Sequence, residues 1–220
     1  VTAVQPPLRP ERPDRRTASK AARRQAIIDA ALALAREHGR RGFSVDQLAE
    51  RADVSRRTVF NHFGSLDEIL LAAHAQVMDV LIDDFDRRSA ATPVGDGSLA
   101  SVFDEVSAAL RATDLVGPMA ALTHLLDGLD DDDQAGPAGQ GLVREVMHRT
   151  TARLAADIAR RSPDADELDI DLLVHSLVGG LVVLHAHWSA RTGAADDDAS
   201  RAVWAELLER LIGTVRNGFR

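Results

Sequence analysis

The chain has 220 residues, 45% hydrophobic and 27% charged, enough apolar material for one or two domains with a proper core and too much for a disordered polymer. It has no cysteine, which excludes disulfide frameworks and thiolate chemistry and fits a reducing compartment. The net charge of −8 is unevenly spread, with 13 basic and 7 acidic residues in positions 1–64 against 13 basic and 27 acidic in the rest, so a basic head sits on an acidic body, an arrangement that offers one end to a polyanion and repels it elsewhere.

Residues 1–18 are rich in Pro and Arg with no apolar period, which predicts a disordered basic arm. Arg9, Arg12, Arg15 and Arg16, continued by Lys20, Arg23 and Arg24, suit either a covering for phosphates or the minor groove, or a leader that only confers solubility. The N-terminus carries no apolar run of the signal-peptide kind, and no uninterrupted apolar stretch reaches the ~20 residues of a bilayer span. The expectation is a cytoplasmic protein without a membrane partner.

A first helix is predicted from about Lys20 to His38, with Ile27, Ile28, Ala31, Leu34 and Ala35 as its buried stripe and Gly39 at its end. Ser44 and Gln47 have capping-box spacing at the start of a second, short helix, whose apolar face is Val45, Leu48, Ala49 and Ala52. Asp53 and Val54 break it, Asp being able to take the left-handed conformation that a sharp turn requires. Ser55 caps a third helix. Val59 and Phe63 lie one turn apart on its inner side, which leaves Arg57, Thr58 and Asn61 on the opposite face, flanked by Arg56 and His62. Gly64 is expected to stop it. Ser65 and Glu68 form a second capping-box pair, opening a fourth helix to about Arg88.

Two short helices, a tight turn and an exposed polar face are what a helix needs to enter the DNA major groove. Arg can donate two parallel hydrogen bonds to guanine O6 and N7, and Asn pairs likewise with adenine N6 and N7, each worth roughly 1–3 kcal/mol of base discrimination. Ser44, Thr58 and His62 suit phosphate oxygens, which set register without reading sequence. The expected DNA-binding set is Ser44, Ser55, Arg56, Arg57, Thr58, Phe60, Asn61 and His62.

The stretch from Ile27 to Leu70 resembles the DNA-binding domain of the TetR family of bacterial transcriptional regulators. The likeness rests on Ile27-Ile28-Asp29-Ala30-Ala31, Gly39, Phe43-Ser44-Val45, Leu48-Ala49, Ala52, Val54-Ser55, Thr58-Val59-Phe60, Phe63, Ser65, Glu68 and Leu70. Three positions depart from the family pattern. Asp53 stands for the usual turn glycine, Phe60 for a frequent tyrosine and Leu66 for a frequent lysine, so two phosphate contacts of the family would be missing here. The resemblance implies a ligand-responsive regulator that dimerises through its last two major helices and binds a small molecule within its C-terminal domain.

Beyond Leu99 the signals are all helical, at about Leu99–Thr113, Pro118–Leu129, Gly141–Arg161, Leu168–Arg191 and Ser200–Asn217, and no segment alternates at period two. The fold class is all-α: an N-terminal three-helix helix-turn-helix domain plus a C-terminal helical ligand-binding and dimerisation domain. The expected divisions are 1–18 (arm), 19–64 (DNA-binding) and 65–220 (effector-binding and dimerisation). Asp130-Asp131-Asp132-Asp133 reads as a solvated acidic loop. Asp196-Asp197-Asp198 reads as a charged loop supplying negative charge at a helix start.

The last two predicted helices are too apolar for a small domain to cover, and Gly179-Gly180 inside a helix makes sense where another backbone approaches closely. A homodimer through a four-helix bundle is expected, using Leu177, Gly180, Leu181, Leu184, Trp204, Leu208 and Leu211, and its two-fold symmetry would match an inverted-repeat DNA operator. Candidate effector contacts are Phe103, Met119, Leu122, His124, Met147, His148 and His185, with a small hydrophobic effector expected from the scarcity of Lys and Arg in the apolar parts of these helices. His185 and His187, two residues apart, point about 200° from one another on a helix and cannot readily grip one ion, so neither metal nor cofactor is expected. No cysteine, Gly-rich phosphate loop or convergent carboxylate–histidine set suggests an enzyme. The leading expectation is a homodimeric repressor released by its effector, the alternatives being an activator, an effector-independent regulator or a helical enzyme.

Overall fold

The computed structural model describes residues 15–39, 42–92, 95–126 and 137–217. The described residues form helices α1 (Arg15–His38), α2 (Val45–Arg51), α3 (Arg56–His62), α4 (Leu66–Ala91), α5 (Leu99–Ala112), α6 (Val116–Leu126), α7 (Pro137–Arg161), α8 (Glu167–Thr192) and α9 (Asp198–Asn217), and no strand. The all-α expectation holds, with most helix ends within a few residues of the sequence reading.

Helix α1 starts five residues earlier than predicted. Residues 15–18, assigned to a disordered arm, are its first turn, and a domain boundary at 19 would fall inside a helix. Arg9 and Arg12 lie outside the described residues, as do the loop from Asp130 to Asp133 and the side chain of Met147.

The head is α1, α2 and α3 wrapped around Ile27, Ala31, Leu34, Leu48, Val59 and Phe63, all buried. Gly39, at φ 69°, ends α1, its N–H donating to Ala35 O at 2.8 Å. The head is continuous with the body. Helix α4 carries its buried side, Ile69, Leu70, Ala73, His74, Val77, Met78 and Leu81, from α1 to α5, α6 and α7. Helix α6 packs against α1 and α4 and also against α8 and α9.

The body closes on the α8–α9 pair, the most extensively packed pair of helices. Trp188 is fully buried. Its ring meets Trp204 edge-on at 5.5 Å between centroids, and its indole N–H donates to Ser200 O at 3.0 Å. A Cβ at Gly180 would collide with Leu211 Cδ1, so this glycine admits a side chain of the same subunit's α9. Asp197 Oδ1 accepts Ser200 N at 2.8 Å, placing an acidic cap at the start of α9 as the charged loop predicted. Helix α8 ends on Gly193 in the left-handed conformation, at φ 63°.

Candidate nucleic-acid interface

The turn between α2 and α3 forms as the sequence requires. Ser44 Oγ accepts Gln47 N, and Gln47 Oε1 accepts Ser44 N at 2.8 Å, completing the capping box. Asp53 takes φ 52°, the left-handed conformation. Ser55 Oγ accepts Thr58 N at 3.1 Å and lies 2.8 Å from Thr58 Oγ1. The end of α3 differs from expectation. The helix stops at His62, capped by Phe63 in an extended conformation. Gly64 needs no left-handed backbone; its N–H donates to Glu68 Oε2 at 2.6 Å. Ser65 Oγ still accepts Glu68 N at 3.1 Å, so the second capping box closes one residue upstream of its predicted partner.

Seven residues of helix span about 10 Å, and this short rod buries Val59 and turns the other side outward. Arg57 and Asn61, one turn apart, are exposed and have no partner among the described residues. Arg56 is committed otherwise. Its Nη1 donates to both carboxylate oxygens of Asp46, at 3.0 and 2.8 Å, and its guanidinium lies 5.6 Å from the centre of the exposed Phe60 ring. Pairing with a residue ten positions away had no local sign in the sequence. Ser44 and Ser55 spend their hydroxyls on caps, and Thr58 is half-buried against Ser55.

His62 is half-buried, and its Nδ1 has no hydrogen-bond partner. Burial first, then the nearby charges of Lys20, Arg23 and Arg24, holds its imidazole below the ordinary histidine range, so it is neutral near pH 7. These three cations lie on the first turns of α1 and are exposed. The Arg24 guanidinium sits 4.7 Å from the centre of the Phe63 ring. The sequence placed them at the start of the first helix, continuing the basic arm; the structure keeps them on that helix and brings it beside the end of α3.

Residues 27–73 match the family model for bacterial regulatory proteins of the tetR family. The head is a TetR-family helix-turn-helix domain. No curated protein matches the sequence. Among solved structures, a protein assigned to the TetR family from Mesorhizobium loti is similar at a TM-score of 0.63 and 20% identity, over 89% of this chain and 94% of that one. A TetR-family transcriptional regulator from Streptomyces coelicolor is similar at 0.54 and 20%, over 88% and 99%. The regulator FadR from Bacillus subtilis, solved in complex with stearoyl-CoA, is similar at 0.59 and 18%, over 89% and 99%. The TetR-like fold thus extends through the body.

The candidate effector residues do not form one pocket. Phe103 lies on α5 in a cleft of about 460 Å³ with Leu99, Leu173, Val215 and Arg216, the Arg216 guanidinium 5.4 Å from the centre of its ring. Met119 and His124 are half-buried and Leu122 buried on α6, whereas His148 is exposed on α7. His185 alone joins the α6 group. Its Nε2 lies 2.8 Å from Thr123 Oγ1, whose hydroxyl donates to Met119 O at 3.0 Å, so the ring nitrogen carries the proton and donates. Burial holds His185 below the ordinary range. Among the described residues, no group of three or more His, Asp or Glu is placed to hold a metal ion.

The expected dimer residues divide similarly. Leu177, Leu184, Trp204 and Leu208 are buried inside the subunit, Gly180 is filled by Leu211, and Leu181 and Leu211 are half-buried. Four of the seven therefore present nothing to a second copy. The exposed apolar residues of α8 are instead Leu168, Leu172, Val182 and Val183. Gly179 sits on the same stripe with nothing within 4 Å of its would-be Cβ. One described helix, α8, is long and apolar enough to cross a membrane by length and composition alone, and 22% of its most apolar window is buried.

Proposed function

We propose that this chain is a homodimeric transcriptional repressor that reads an inverted-repeat operator and releases it on binding a small apolar effector. The observation that carries the reading is the pair Arg57 and Asn61, side by side, outward and unpartnered among the described residues on a helix capped by Ser55. Both types of side chain make bidentate contacts to purine edges. Arg56, held by Asp46, is a support for that helix, and Phe60 an apolar contact beside it.

The dimer is supported by α8. A 26-residue helix exposing Leu168, Leu172, Val182 and Val183 in one stripe demands cover, and Gly179 lets a second helix approach. A two-fold axis there gives two reading heads, which need half-sites about 34–36 Å apart. The effector is supported by the FadR likeness and by the cleft beneath Phe103.

A mobility-shift assay on the duplex flanking the gene tests the reading. The parent retards it specifically, and Arg57→Ala with Asn61→Ala removes specific retardation while weak binding to competitor DNA persists. Equal binding by parent and variant sinks the groove assignment. Deleting the gene raises the transcript of a neighbour if the sign is repression.

A further inference from the structure

Among the described residues, most arginines of the body are tied to acids: Arg87 and Arg88 to Asp84, Arg111 to Glu209, Arg153 to Asp83 and Asp86, Arg161 to Glu105 and Asp157, Arg191 to Glu206, Arg201 to Asp196, Arg216 to Asp104. In the head, Arg51 is tied to Glu37 and Arg56 to Asp46. Lys20, Arg23 and Arg24 have no such partner among the described residues. They sit at i, i+3 and i+4 on one face of α1, and their field reaches His62 at the last position of α3. A cluster of like charges left uncompensated in a protein that pairs its other cations so widely raises the energy of the free state. It is relieved when an anion arrives.

We propose that Lys20, Arg23 and Arg24 form a phosphate clamp on α1 that grips the DNA backbone beside the C-terminal end of the reading helix. This rests on the DNA-binding reading of the head and adds to it a second, sequence-blind surface. The geometry favours backbone over bases. A helix lying in a groove about 12 Å wide is bordered by phosphates, and cations displaced from its base-facing residues onto a neighbouring helix meet that border. The ligand class is a run of phosphodiesters: Lys20 offers a point charge, and the two arginines offer forked donors. Arg24 is the inner member, steadied on the Phe63 ring, while Lys20 and Arg23 reach further out. The competing structural role is to offset the negative end of the α3 dipole, which would act on stability and not on DNA affinity.

The test uses the full chain and a fluorescein-labelled 30-base-pair duplex of mixed sequence, so that no operator need be known. Anisotropy titrations between 50 and 200 mM salt give the slope of log affinity against log salt. Each phosphate contact contributes about 0.9 to that slope and, at 0.1 M salt, about tenfold in affinity. The variant Lys20→Gln/Arg23→Gln should bind ~10²-fold more weakly, with a slope shallower by about 2. Its thermal melt should equal or exceed the parent's, since two mutually repelling charges are gone, and Arg23→Lys should keep the slope. An unchanged slope in the double variant, with the parent binding normally, overturns the clamp and leaves the reading helix intact. A melt that falls while the slope stays put assigns the cluster to the α3 dipole and likewise overturns it. A parent that shows no salt-dependent binding overturns the DNA reading and the clamp together.

Discussion

Gly179 and Gly180 are adjacent and chemically identical, yet one faces open space and the other a leucine of its own subunit. Alanine at each therefore has a different predicted consequence. Gly in a helix interior costs about 0.5–1 kcal/mol relative to Ala, so Gly179→Ala should stabilise the isolated subunit by that amount, or about 1–4 °C for a chain of this size. If a second α8 crosses at Gly179, the new methyl meets it, and overpacking costs about 1–3 kcal/mol at each of two symmetry-related sites. At about 1.4 kcal/mol per tenfold, the dimer dissociation constant should rise at least tenfold. Gly180→Ala must displace Leu211 within the subunit, so it should lower the melting temperature with a smaller effect on association. Sedimentation equilibrium across a hundredfold range of concentration reads association, and circular dichroism melts of the same samples read stability. A Gly179→Ala dimer as tight as the parent's would refute the placement of the two-fold contact. A parent that stays monomeric but partitions onto anionic lipid vesicles would mean that the exposed side of α8 serves a membrane.

Three other outcomes are expected. Asp53 holds a left-handed backbone at a cost that glycine does not incur, so Asp53→Gly should raise the melting temperature by a few degrees and Asp53→Val lower it, in thermal denaturation. Glu105 is buried and held by Arg161 Nη1 at 3.1 Å and Gly95 N at 2.7 Å. Arg161→Met should cost about 3–5 kcal/mol by leaving that carboxylate without its cation, while the double variant with Glu105→Met should recover most of the loss in urea unfolding. Burial keeps His74 below its ordinary value of 6.5, so between that value and the depressed folded one the unfolded chain binds more protons. Stability is full above pH 6.5 and should fall as pH drops through that window. Replacing His74 by Gln should flatten the dependence in melts at pH 7.5, 6.5 and 5.5.

The head was legible in the sequence because its determinants are local. The cap at Ser44 and Gln47, the left-handed Asp53 and the cap at Ser55 each act within a few residues, and spacing alone separates Val59 from Arg57 and Asn61. What spacing cannot reveal is pairing between elements. Arg56 looked as free as Arg57 until Asp46, from the preceding helix, was seen beside it. The expected dimer residues overlap the subunit's own core for a related reason. Helix α8 is apolar nearly all round, so periodicity marks which positions are greasy but not which arc its own subunit takes. Ile170, Val174, Leu177, Leu184 and Trp188 went inward, and Leu168, Leu172, Val182 and Val183 were left outside. The effector candidates scatter because they were gathered by type, Met, His and Phe, and only tertiary packing decides that His185 meets Thr123 while Phe103 lies in a different cleft.

Helix α6 has 11 residues, about 16 Å of rod, with the head leaning on it and the α8–α9 pair behind it. Pivoted at one end by 10°, such a rod sweeps its other end through roughly 3 Å by the same rise per residue. In the proposed dimer, that is the scale on which two tethered heads would gain or lose their match to successive grooves, so a modest event deep in the body would acquire leverage over the grip at the far end.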